Sequence, residues 1–98
     1  MTLNAFKASV AQAEPPAGLT PALTALWLDA KGNWEAAHQV ALDIESPAGS
    51  WIHAYLHRKE GDASNAGYWY RRAGQPVARE SLELEWAAIV EAMLQDQA

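Results

Sequence analysis

The chain has 98 residues, of which 50% are hydrophobic and 19% charged, with five tryptophans and no cysteine. That length supports one globular core and not two, and the absence of thiols excludes disulfides and thiolate metal sites. A formal charge of −5 argues against general affinity for nucleic acid, and no stretch approaches the roughly 20 apolar residues of a membrane span.

Residues 1–14 read as a short amphipathic helix carrying Leu3, Phe6 and Val10 on one side. Ala11-Gln12-Ala13 imitates a signal-peptidase site, but Asn4 and Lys7 interrupt the apolar run that a signal needs. A cytoplasmic location is therefore expected. Pro15-Pro16 closes this helix. Thr20 then caps a second one with Pro21 at its first position, where a missing N–H is harmless, and Leu23, Leu26, Trp27 and Ala30 follow at helical spacing. Gly32 stops it. Asn33 caps a third helix running to about Glu45, with Trp34, Ala37, Val40, Ala41 and Ile44 on one side.

Pro47-Ala48-Gly49 reads as a break, with Ser50 capping a fourth helix that ends at Gly61. Asp62 caps a fifth, ending at Gly74 ahead of Pro76. Ser81 caps the last, whose stripe is Leu82, Trp86, Ile89, Val90 and Met93. Six helices and no sustained period-two alternation predict a single all-α domain over residues 1–98. Charge is uneven along it. Residues 58–79 carry five bases against two acids, while residues 80–98 carry five acids and no base, so the basic middle is expected to pair internally with the acidic last helix.

The stretch WIHAYLHRKEGDASNAGYWYRRAG, residues 51–74, gathers most of the polar chemistry. At about 100° per residue, Trp51, Ile52, Tyr55 and Leu56 share one arc of the fourth helix, the expected core face. His53, His57 and Glu60 fall opposite. Two histidines at i, i+4 with a carboxylate one turn on can hold a metal ion, and His38 would be drawn in if its helix packs closely against the fourth. The plainer reading makes His53 and His57 surface or inter-helix hydrogen-bonding groups, with Glu60 supporting the second. On the fifth helix Ala66, Trp69, Tyr70 and Ala73 form the core arc. Tyr68 faces away, between Asn65 and Arg72, and such a trio suits a peptide or an anion; the plainer reading is an Arg72–Tyr68 stack. Arg58 and Lys59 also complement the dipole at a helix C-terminus. Enzymatic chemistry is not favoured. Gly32 and Gly61 are helix stops and not a phosphate loop, there is no cysteine nucleophile, and the serines sit at caps and turns.

The two inner corners are alike. Gly32-Asn33 and Gly61-Asp62 lie 29 residues apart, Pro47 and Pro76 each follow 15 residues later, and Ala25 and Ala37 match Ala54 and Ala66 in the same register. This divides the middle into hairpins 21–47 and 50–76, flanked by helices 1–14 and 81–97. GNWEAAHQVALDIESP resembles the second helix of a tetratricopeptide repeat, and GDASNAGYWYRRAG is similar to its Sel1-type variant, which closes on a run matched here by Trp69-Tyr70-Arg71-Arg72-Ala73. The hairpin as a whole also resembles a set of small bacterial proteins, a likeness that carries no function. The repeat resemblance implies stacked hairpins capped by the flanking helices, and a binding groove lined by the first helix of each hairpin. The fourth helix would then project His53, His57 and Glu60 or Arg58 into that groove.

These readings lead to a non-enzymatic module that binds a protein or peptide, without a cofactor, through His53, His57, Arg58, Asn65, Tyr68 and Arg72. The alternative is a metal- or small-molecule-binding protein using His53, His57 and Glu60. A third is a homodimer formed through exposed aromatics such as Trp51 or Trp86.

Overall fold

A computed structural model describes residues 1–96. The fold is all-α: α1 (Leu3–Ser9), α2 (Pro21–Ala30), α3 (Trp34–Leu42), α4 (Pro47–Lys59), α5 (Ala63–Ala73) and α6 (Leu82–Asp96), with no strand among the described residues. Gln97, the expected end of the last helix, lies outside the described residues. No helix among them is long and apolar enough to cross a membrane.

Local chemistry accounts for most boundaries. The hydroxyls of Thr20 and Ser81 accept the N–H groups of Leu23 and Leu84, and the Asn33 and Asp62 side chains accept those of Ala36 and Asn65. At the two Gly-plus-cap corners, Gly32 and Gly61 adopt φ of 87° and 93°. The next residue's N–H returns to the carbonyl five positions back, from Asn33 to Leu28 at 3.0 Å and from Asp62 to His57 at 2.9 Å. Both corners are therefore the same left-handed helix stop.

Three boundaries differ from expectation. The first helix is shorter than residues 1–14 and ends at Ser9, and the third ends at Leu42, short of Glu45. The fourth starts at Pro47 and not after Ser50, with Ser46 in the N-cap position and the proline in the first turn. A proline there has no N–H to lose, so Pro47 opens this helix as Pro21 opens α2. Gly49 is consequently helical and buried, pressed against the Ile44 backbone.

α4 sits at the centre, packed against α2, α3, α5 and α6. Phe6, Leu23, Leu26, Ile52, Leu56, Ile89 and Val90 are fully buried in the main core, while Ala54, Ala66 and Tyr70 form a smaller cluster where α5 meets α4. Buried tryptophans find acceptors, Trp27 on the Ser9 carbonyl and Trp86 on that of Leu26. The basic middle does pair inward. Arg58 bonds the buried Glu85 at 2.8 Å and the Glu80 carbonyl, and Lys59 bonds the buried Asp29 at 2.9 Å. Burial pushes the Tyr55 and Tyr70 hydroxyls well above the usual phenol range, so both stay protonated and donate, to Asp29 and Glu85 respectively.

Candidate metal centre

One turn of helix separates His53 from His57 on α4, so their rings lie face to face at 4.6 Å between centroids. α3 delivers a third imidazole. Trp34 donates its indole N–H to the Leu56 carbonyl at 2.8 Å, which fixes α3 against α4, and His38 stacks on that indole at 4.8 Å and 9°. His38 Nε2 then lies 2.9 Å from His53 Nε2. From the other side, small residues at Ala54 and Ala66 let α5 approach closely, and Trp69 stacks on His53 at 4.0 Å. The result is three imidazoles held between two indoles, with one ligating nitrogen from each ring within 4.8 Å of the other two.

Hydrogen bonding sets the proton positions. Glu60 Oε2 lies 2.6 Å from His57 Nδ1, so that nitrogen carries the proton and Nε2 keeps its lone pair. The Asn65 amide approaches Nε2 at 3.4 Å. Between His38 and His53 one ring donates and the other accepts, so the accepting ring is neutral. Burial, followed by the neighbouring His38 and His57, pushes His53 down to about 4. Burial and His57 also lower His38, against weaker opposition from Glu35 and Glu60. Neutral imidazole is the ligating form, and a carboxylate on the far nitrogen is the usual support for a metal-bound histidine.

The spacing is close to what an ion would need. With metal–nitrogen bonds of about 2.0–2.1 Å, tetrahedral ligands stand about 3.3–3.4 Å apart. The 2.9 Å His38–His53 separation would have to open slightly and the wider pairs close, movements on the order of 1 Å. His57, Glu60 and Asp62 form a second close group, but Glu60 is already bonded to His57 Nδ1 and the Asp62 carboxylate caps α5.

The residues singled out from sequence divide into an interior set and a surface set. His53 and His57 are 4% and 8% exposed, so the expected outward projection into a groove is overturned: α3 and α5 cover that face of α4. Asn65 is half-buried on His57, while Glu60 is exposed beside it. Arg58 stands apart, tied to α6. Tyr68 is exposed, with the Arg72 guanidinium donating to its hydroxyl at 3.1 Å and lying 5.1 Å from the Trp69 ring centre. Sequence reasoning did not assign Trp34 or Trp69 to the site and brought in His38 only conditionally. Counting outward from the connection 43–46 would have found His38, because helices joined so briefly run back along one another and place His38 and His53 within a turn of the same level.

A hollow of about 550 Å³ lies elsewhere, between α1, α2, α4 and α6. Its buried carboxylate, Asp29, accepts from Tyr55 on one oxygen and from Lys59 on the other. No protein-family model matches the chain, and neither a curated protein nor a solved structure matches it.

Proposed function

We infer that this protein binds one divalent transition-metal ion between His38, His53 and His57. The observation that carries this reading is the arrival of His38, from a different helix, at 2.9 Å from His53 Nε2. An isolated i, i+4 pair supplies two ligands, and the third turns it into a facial set. All-imidazole ligation suits Zn²⁺, Cu²⁺, Ni²⁺ or Co²⁺ over Mg²⁺ and Ca²⁺, which take oxygen. Supporting the assignment are the lowered proton affinity of His38 and His53, the Glu60 carboxylate behind His57, and the two indoles that hold the rings in place.

Calorimetric titration with Zn²⁺ tests it. One saturable equivalent is expected, lost or weakened at least tenfold by His38→Gln, a substitution at a half-buried position that circular dichroism can show to leave the helices intact. Undiminished Zn²⁺ uptake by His38→Gln, or none by the parent protein, removes the reading.

A protein- or peptide-binding role rests on a different observation, the exposed Tyr68 ring with Arg72 hydrogen-bonded to it. It predicts a partner captured by the intact chain and released by the double substitution Tyr68→Ala, Arg72→Ala; a partner set unchanged by that substitution would count against this face.

A further inference from the structure

Three imidazoles leave a four-coordinate ion one ligand short. The geometry points to a fourth position reserved for a small exchangeable oxygen donor, a carboxylate or water held by the Asn65 amide. This inference rests on the metal reading above. Among the described residues, the histidine group contains no fourth ligating side chain. Glu60 is bonded to His57 Nδ1, on the far edge of the ring from Nε2, and Asp62 is held by its capping bond. The Trp34 indole N–H is already given to Leu56.

Asn65 is the group whose present contact changes on loading. Its Nδ2 lies 3.4 Å from His57 Nε2, a long bond to a lone pair that the ion would take. The amide then loses its acceptor while remaining beside the ion, where its two N–H groups can donate to a ligand oxygen. Charge argues the same way. Three neutral imidazoles bring no charge to the dication, the Glu60 carboxylate acts on it only through the His57 ring, and an anionic oxygen ligand supplies the charge directly. His38 and Asn65 are each only half-buried, whereas Trp69 covers His53.

Co²⁺ tests this, because its visible d–d absorption reports coordination. Calorimetry first establishes one equivalent of Co²⁺; failure here overturns the metal reading and the proposal with it. Sodium acetate is then titrated into the loaded protein at fixed pH and ionic strength. The expected result is a saturable spectral change in the parent protein. Asn65→Ala should bind Co²⁺ within about twofold of the parent but acetate about fivefold more weakly, the loss of one ordinary hydrogen bond. Asn65→Asp should bind Co²⁺ and lose the acetate response, since its carboxylate fills the position itself. A loaded parent protein whose spectrum acetate does not alter, or an Asn65→Ala protein with undiminished acetate affinity, overturns the proposal and leaves the metal reading standing.

Discussion

His53 is enclosed by the Trp69 face, the His38 edge and the His57 ring, an environment that admits its neutral form and resists its charged one. Its pKa falls from an ordinary 6.5 to about 4. Between those values the unfolded chain takes up a proton that the native chain does not, so stability rises with pH across this window. The contribution is fully present above pH 6.5 and disappears as pH falls toward 4, and the lowered His38 acts in the same direction. After allowance for residual solvent screening it amounts to about 2 kcal/mol. Urea unfolding of metal-free protein at pH 7 and pH 4.5 should show it as a difference between the parent protein and His53→Gln, because the carboxylates titrate alike in both. Equal pH dependence in the two would contradict the assignment. The i, i+4 spacing of His53 and His57 was legible in the sequence; their burial was not. A helical wheel separates the two faces of α4 but does not say how many helices cover it. Tyr68, on a helix covered from one side, is exposed as its position on the wheel implies.

For the elements, the punctuation was the legible part. Thr20, Asn33, Asp62 and Ser81 cap as their positions predict, and both Gly-plus-cap corners close with the same bonds. Pro47-Ala48-Gly49 misled because the same residues that end a helix can begin one, and only the neighbouring backbone decides. Gly49 provides the test. A Cβ there would strike the Ile44 carbonyl oxygen and come within 2.7 Å of the Ile44 Cβ. Gly49→Ala is expected to destabilise the protein by about 1–3 kcal/mol in urea unfolding, although alanine is ordinarily the better helix former. A stabilised variant would mean that α4 starts later than Pro47. Besides the apolar packing of α6 on α4, one buried carboxylate on α6, Glu85, accepts from Arg58 on α4 and Tyr70 on α5. Its removal leaves a cation and a hydroxyl without their acceptor. Glu85→Ala should cost about 3 kcal/mol and Tyr70→Phe about 1 kcal/mol, and the double variant should cost less than their sum because the two share one bond.

Across the whole molecule, the charge pattern was readable in part: Arg58 pairs with Glu85 on α6, whereas Lys59 pairs with Asp29 on α2. The convergence of three helices on one imidazole cluster was readable only in part: the short connection 43–46 puts His38 level with His53, but which faces of α3, α4 and α5 meet there depends on how they pack. That convergence has a global consequence. An ion held by His38 on α3 and by His53 and His57 on α4 ties the two helices together at a point where α5 also packs through Trp69. Ligand that binds only the native state stabilises it by mass action, about 2.7 kcal/mol at one hundred times the dissociation constant. For a domain of this size that corresponds to a rise in Tm of about 10 °C or more. Thermal unfolding followed by circular dichroism at neutral pH, with Zn²⁺ against a chelator, should show the rise in the parent protein and little of it in His38→Gln. The rise should also shrink as pH falls toward 4, where protons compete with the ion for the native imidazoles. Mg²⁺ at the same concentration should leave Tm unchanged, since three imidazoles offer it no oxygen ligand. Equal stabilisation by Zn²⁺ and Mg²⁺ would mark a nonspecific charge effect on an acidic protein in place of coordination at the histidines.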